Sequence, residues 1–98
     1  MPWTIKLEKE GGDSERRFII CPFELLPTED EDYPLLGYVD PYNDTIFTSI
    51  QMIPFLKEWE RIADRAAALN HQPVWEKVRE LAQECREQTG RYLKFVGD

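Results

Sequence analysis

Cysteine and histidine are scarce in this sequence, which has two cysteines and one histidine among 98 residues. Small secreted domains usually carry several disulfides, whereas Cys21 and Cys85 could form at most one. Both lie in apolar stretches without a second cysteine at short spacing, so we predict buried free thiols. His71 falls in a predicted turn with no nucleophile motif around it, and we predict a loop or helix-cap residue there.

Long apolar runs are also absent. The longest apolar stretch, residues 18–23, is far shorter than the ~20 residues that span a bilayer. Residues 1–8 alternate polar and apolar side chains, which is unlike the basic and then apolar segments of a secretory signal. We therefore predict a cytoplasmic protein that makes no contact with a membrane.

Motifs for cofactors, metals and catalysis are missing as well. No segment has the glycine spacing of a dinucleotide or nucleoside triphosphate site, so we predict no cofactor. The segment 40–44 is rich in aspartate but lacks the Asp-x-Asp-x-Asp-Gly order and the closing glutamate of a calcium loop, so we predict no metal site. In the absence of a catalytic motif, we predict that the protein is not an enzyme.

Basic residues are missing from a long central part of the chain, since no Lys or Arg occurs between Arg17 and Lys57. Residues 1–48 contain four basic and eleven acidic residues, whereas residues 49–98 contain eight of each. The whole net charge of −7 therefore belongs to the first half. Concentrated negative charge speeds encounter with basic proteins and repels phosphate backbones. We predict a basic protein partner and no binding of nucleic acid.

Alternation of polar and apolar residues predicts the strands. Residues 3–8 alternate with the period of a half-buried strand, and the Gly11–Asp13 turn predicts a hairpin with a second strand over residues 16–21. Because residues 18–21 are apolar on both faces, we predict that this second strand is central. Residues 22–34 predict an exposed loop. Residues 35–39 predict a third strand, and a fourth is predicted from Thr45 to Ser49 or Gln51.

Helical periodicity dominates the second half. After Pro54, apolar residues recur at steps of three and four as far as Leu69, which predicts one amphipathic helix. A second helix is predicted from Val74 to Cys85, with Gly90 as its C-cap, and residues 92–96 predict a last strand antiparallel to the fourth. We predict one α+β domain over residues 1–98, ββββααβ, in which an antiparallel two-helix hairpin covers one face of a mostly antiparallel sheet of about five strands. Tryptophans 59 and 75 are predicted core residues.

Tyrosines occur among the acidic residues of the central region, and tyrosine is enriched at interface hot spots. The predicted partner-binding residues form an acidic, tyrosine-bearing edge: Glu29, Asp30, Glu31, Asp32, Tyr33, Asp40, Tyr42 and Asp44. In the alternative interpretation, residues 29–32 are a solvated loop, Tyr38 packs in the sheet, and Asp40 and Asp44 cap turns through their side chains.

Two segments carry a family resemblance. The segment Asp40-Pro41-Tyr42-Asn43-Asp44-Thr45-Ile46-Phe47 with Gln51, and the terminal Tyr92-Leu93-Lys94-Phe95-Val96-Gly97-Asp98, resemble small bacterial proteins of unknown function. Some of those proteins are regarded as immunity proteins for secreted toxins. The resemblance covers about the C-terminal 60% of the chain, and it implies a cytoplasmic inhibitor that covers the active site of a toxin.

Two hypotheses of function follow. The first is a binding or inhibitory, immunity-like protein that engages a basic partner, such as a toxin, through the acidic edge. The second is a small ligand-binding domain or enzyme with a polar pocket between the sheet and the helices.

Overall fold

The computed structural model describes residues 2–9 and 14–97, and these residues form an α+β fold. The strands are β1 (Trp3–Lys9), β2 (Ser14–Cys21), β3 (Thr45–Thr48) and β4 (Arg91–Val96). The helices are α1 (Met52–Arg61), α2 (Ala63–Ala68) and α3 (Gln72–Glu87). Two 3₁₀ turns, Phe23–Leu25 and Leu36–Tyr38, lie between β2 and β3. The predicted α+β class is therefore confirmed.

The strands form one antiparallel sheet in the order β2-β1-β4-β3. Ile5 of β1 pairs with Ile19 on one side and with Phe95 on the other, so β1 and β4 are the two central strands. The predicted antiparallel pairing of the first two strands is confirmed, whereas the predicted turn at Gly11–Asp13 lies outside the described residues. Pairing of β4 antiparallel to β3 is also as predicted.

Two strand predictions are wrong. Residues 35–39 form no strand but a 3₁₀ turn, so the described sheet has four strands rather than about five. The second strand is an edge strand rather than a central one, and Phe18 and Ile20 are 60% and 49% exposed. Their apolar character suggested burial on both faces, but on β2 these residues point away from the buried face that carries Ile5.

The helical region contains three helices where two were predicted. The predicted helix from Pro54 to Leu69 is interrupted at Ile62, whose φ of −97° and ψ of 9° lie outside helical values. The side chain of Ile62 remains buried, so the apolar period continues across the break. Helix α3 ends at Glu87 with Gln88 as its C-cap, so the prediction of Gly90 as the C-cap is wrong; Gly90 takes a positive φ of 84° in the turn that leads into β4.

Aromatic side chains fill the core between the sheet and the helices. Phe47 packs edge-on against Phe95, with ring centroids 5.7 Å apart, and Phe55 stacks on Trp59 at the same separation. Trp59 and Trp75 also join α1 to α3, because each indole Nε1 donates to the backbone carbonyl of the other residue, at 3.0 and 2.8 Å. The prediction that both tryptophans belong to the core is confirmed.

The two cysteines are free and buried, as predicted. Burial raises the pKa of Cys21 to about 12 and that of Cys85 to about 11. Both thiols are therefore protonated near neutral pH, and a protonated thiol is a poor nucleophile.

Candidate partner-binding site

The acidic loop, residues 27–38, is held closed by its own backbone. The amide of Glu29 donates to the carbonyl of Gly37 at 2.8 Å, and the amide of Gly37 donates to the carbonyl of Tyr33 at 2.8 Å. Glu29 has a positive φ of 62°, and the Asp30 carboxylate accepts the amide of Asp32 at 2.9 Å. The predicted exposed loop over residues 22–34 is therefore a compact turn structure, and its exposure is only partial because Leu25 and Leu26 are buried.

Glycine is required where this loop crosses itself. A Cβ atom at Gly37 would overlap the carbonyl oxygen of Asp30, and the Asp30 backbone nitrogen and carbonyl carbon lie close beside it. Because these are backbone atoms, a side chain could be admitted only by moving the loop. Gly37 thus allows the Leu36–Tyr38 turn to pack directly on the backbone of Asp30.

Helix α1 anchors the acidic loop through two charged side chains. The carboxylate of Glu58 accepts the amides of Leu35 and Leu36, at 3.0 and 2.9 Å, and Glu58 is only 5% exposed. One helical turn later, the guanidinium of Arg61 donates to the carbonyl of Asp32 at 2.7 Å and lies 4.2 Å from the ring centre of Tyr33. Tyr33 is therefore oriented towards α1 and is half-buried.

A cleft of about 200 Å³ opens on the surface of the acidic loop, lined by Glu29, Asp30, Glu31, Gly37 and Tyr38. Three acidic residues therefore line it beside Tyr38, which is 76% exposed. Within the described part of the chain, Glu29 and Glu31 form no ion pair. The arrangement presents uncompensated negative charge beside an apolar ring, which is chemistry suited to a Lys or Arg side chain.

The second predicted segment is a separate turn at the end of the sheet. The Asp40 carboxylate accepts the side-chain amide of Asn43 at 3.0 Å and the backbone amide of Tyr42 at 2.8 Å, and these hydrogen bonds lower the pKa of Asp40. The indole of Trp3 donates to the Asp40 carbonyl at 3.1 Å. The turn leaves Tyr42 exposed, and Asp40 caps it as the alternative interpretation predicted.

Asp44 is partly neutralised by a neighbouring cation. Its carboxylate lies 3.4 Å from Lys94 Nζ, and Glu8 lies 3.5 Å from the same atom. Desolvation disfavours the charged form of Lys94, but the charges of Glu8 and Asp44 outweigh it and raise the pKa of Lys94. Asp44 therefore contributes less to the outward negative potential than an unpaired acid would.

The structure distributes the predicted residues over two supports. Residues 32–36 contact α1 through Arg61 and Glu58, whereas the 40–44 turn contacts Trp3 of β1, Thr45 of β3 and Lys94 of β4. Tyr38 was predicted, in the alternative interpretation, to pack in the sheet, and that is wrong because the 3₁₀ turn directs it to solvent. Sequence reasoning also missed Glu58, although a glutamate between Phe55 and Ile62 on an apolar helical face was a readable signal.

Two further findings concern alternative sites. Among the described side chains, those of residues 2–9 and 18–97, no three His, Cys, Asp or Glu groups come together in a way that could hold a metal ion. No helix in the same ranges is long and apolar enough to cross a membrane.

Comparison with known proteins gives no relative: no family model matches the chain, and neither curated proteins nor solved structures include a match.

Proposed function

We propose that this protein binds a basic partner protein, in the manner of an inhibitor or immunity protein. The proposed edge includes all the predicted residues, Glu29, Asp30, Glu31, Asp32, Tyr33, Asp40, Tyr42 and Asp44, and it adds Tyr38. The observation that carries the proposal is the cleft lined by three acidic residues and an exposed tyrosine.

The size and chemistry of the cleft favour a side chain over a small-molecule ligand. A volume of about 200 Å³ is below the roughly 300–1,000 Å³ of pockets that enclose drug-sized ligands. An inserted Lys or Arg would place its charge near Glu29 and Glu31 and its aliphatic stem or guanidinium on Tyr38. The loop is held by internal hydrogen bonds and by α1, so it loses little freedom on binding.

Electrostatics support the same class of partner. All the residues that line the cleft belong to the part of the sequence without Lys or Arg. A negative surface attracts a basic protein over about one Debye length, roughly 8 Å at physiological salt. A toxin that acts on nucleic acid must carry a basic surface, which would fit this edge. We propose no binding of nucleic acid, because phosphates would meet the same carboxylates.

The alternative of a ligand-binding or enzymatic pocket between the sheet and the helices remains a prediction. Across the described ranges, the buried side chains are apolar apart from Glu58, which is engaged by residues 35–36. No observation in that layer favours this alternative over a binding role.

The test begins with capture of partners from the lysate of the source organism at low and high salt, followed by association kinetics with the captured protein. Glu29→Gln with Glu31→Gln removes two charges from the cleft, and Glu76→Gln with Glu80→Gln removes two exposed charges from α3. The cleft variant is expected to slow association roughly tenfold at low salt, and the α3 variant much less. Equal effects of the two variants would contradict the proposed site.

A further inference from the structure

Glu58 is an exception in the composition of the core. It is the buried charged residue of the described chain, on a helix face that it shares with Phe55 and Trp59. Burying a carboxylate is strongly unfavourable unless hydrogen bonds replace its water. Apolar residues of similar volume often stabilise a fold equally well at such positions. The contacts of Glu58 must therefore explain why a carboxylate lies there.

The carboxylate replaces the cap that the Leu36–Tyr38 turn lacks. No side chain within the turn caps its first amides. Instead, Oε1 of Glu58 accepts from the amides of Leu35 and Leu36 at 3.0 and 2.9 Å, and Oε2 lies 3.1 Å from the amide of Leu35. A residue on α1 thus performs, from 22 positions away along the chain, the task of an N-cap.

This cap controls one wall of the cleft. Leu36 is fully buried, and the next two residues, Gly37 and Tyr38, form one part of the cleft lining, while residues 29–31 form the other. Gly37 in turn closes the loop, because its carbonyl accepts the amide of Glu29 at 2.8 Å. Loss of the Glu58 contacts would therefore release Gly37 and Tyr38 from α1 and separate the two walls.

We propose that Glu58 is the positioning residue of the acidic cleft: its carboxylate fixes the 35–38 turn to α1, and its loss opens the cleft while the sheet and helices stay folded. The opening itself is independent of any partner. Its consequence for binding depends on the function proposed above.

Amide hydrogen exchange of the whole protein tests the opening. In Glu58→Leu, the amides of Leu35, Leu36 and Gly37 are expected to exchange at least about tenfold faster, which is the effect of losing hydrogen bonds to a charged acceptor. Amides of Ile5 and Leu93 in the central strands should keep their protection. Glu58→Gln retains one acceptor oxygen and should give a smaller acceleration at the same loop amides.

Glu60→Leu makes the same chemical change at an exposed position of α1, where the carboxylate pairs with Arg79 at 2.9 Å. It should leave the loop amides unchanged. Unaltered protection of Leu35 and Leu36 in both Glu58 variants, or an equal loss in loop and central strands in both, would overturn the proposal. The first result would make the contact irrelevant, and the second would make Glu58 an ordinary core residue.

Binding separates this proposal from the function on which it builds. With an arginine-rich peptide as the probe, Glu58→Leu and the double change Glu29→Gln, Glu31→Gln should each weaken binding several-fold relative to Glu60→Leu. If Glu58→Leu accelerates loop exchange but neither variant changes peptide binding, the acidic cleft is not the binding site although Glu58 does hold it. If only the double change weakens binding, the cleft binds without needing Glu58, and the role of Glu58 in positioning the cleft for a partner is overturned whatever the loop exchange shows.

Discussion

The reciprocal contact between Trp59 and Trp75 predicts a large loss of stability when one of the two indoles is replaced. Each indole donates to the carbonyl of the other residue, at 3.0 and 2.8 Å, and both side chains are buried. Trp59→Phe keeps the packing of one six-membered ring on Phe55 but removes one donor and part of the ring system. The carbonyl of Trp75 then loses its indole partner in a place that water does not reach.

The cost has two parts. A buried acceptor left without its partner costs about 1–3 kcal/mol, and the incomplete filling of the indole site adds about 1 kcal/mol, well below the roughly 3–5 kcal/mol of a complete Trp→Ala truncation. We therefore expect Trp59→Phe to lower the free energy of unfolding by about 2–4 kcal/mol. For a domain of this size, that corresponds to a fall in Tm of about 10–25 °C.

Guanidinium denaturation followed by circular dichroism measures this change, and the slope should equal that of the wild type. The matched control is Tyr38→Phe, which alters an aromatic ring that is 76% exposed and should change stability by less than about 0.5 kcal/mol. Trp59→Phe combined with Trp75→Phe should cost less than the sum of the single changes, because the two contacts share one interface. A cost for Trp59→Phe below about 1 kcal/mol would contradict this prediction. It would mean that the hydrogen bonds within the helices satisfy these carbonyls without the indoles.

Three further expectations follow from individual contacts. Gly37→Ala should lower the free energy of unfolding by about 1–3 kcal/mol in thermal or chemical denaturation, because the methyl group would overlap the Asp30 carbonyl. Cys21 and Cys85, whose pKa values are raised to about 12 and about 11, should resist alkylation by iodoacetamide at pH 8 in the native state and react after denaturation. The hydrogen bond to His71, 3.0 Å long, lowers the pKa of Glu24, so this contact stabilises the fold above the ordinary glutamate value of 4.5 and is lost as the pH falls below it. In His71→Gln, the loss of stability between pH 5 and pH 3 should be smaller than in the wild type, and an unchanged pH profile would contradict the assignment.

The local pattern of polar and apolar residues was sufficient to predict those elements in which buried side chains recur at one regular spacing. Residues 3–9 alternate in the sequence and in burial, and the last strand re-enters beside β3 as predicted. The interruption at Ile62 was not predictable, because its side chain keeps the apolar period while its backbone leaves the helix. The second strand was misplaced because an apolar residue such as Phe18 on an uncovered sheet face resembles one in a central strand.

The error at residues 35–39 has a different cause, which also bears on the candidate site. Leu35, Leu36 and Val39 are an apolar run typical of a strand, but their amides find partners outside any sheet. Leu36 donates to Glu58, 22 positions later, and Gly37 packs on the backbone of Asp30. The contact with Glu58 is long-range and depends on how α1 packs, and the contact with Asp30 is a backbone approach within the loop that a polar-apolar pattern does not encode. The acidic run itself was visible in the sequence, whereas the cleft that gives it shape was not.

The charges that appear equal in the sequence contribute unequally to the proposed edge. Asp44 shares Lys94 with Glu8, and the Asp40 carboxylate is used by the turn that it caps. Glu29 and Glu31, by contrast, line the cleft, and neither has an ion-pair partner among the described side chains of residues 2–9 and 18–97. Since a partner gains most from carboxylates whose charge is not already compensated, the acidic loop should dominate recognition, and the 40–44 turn should contribute mainly through the exposed ring of Tyr42. Under the proposed function, the net charge of −7 favours a basic partner, and hydrogen bonding within the fold decides which acids are available to it.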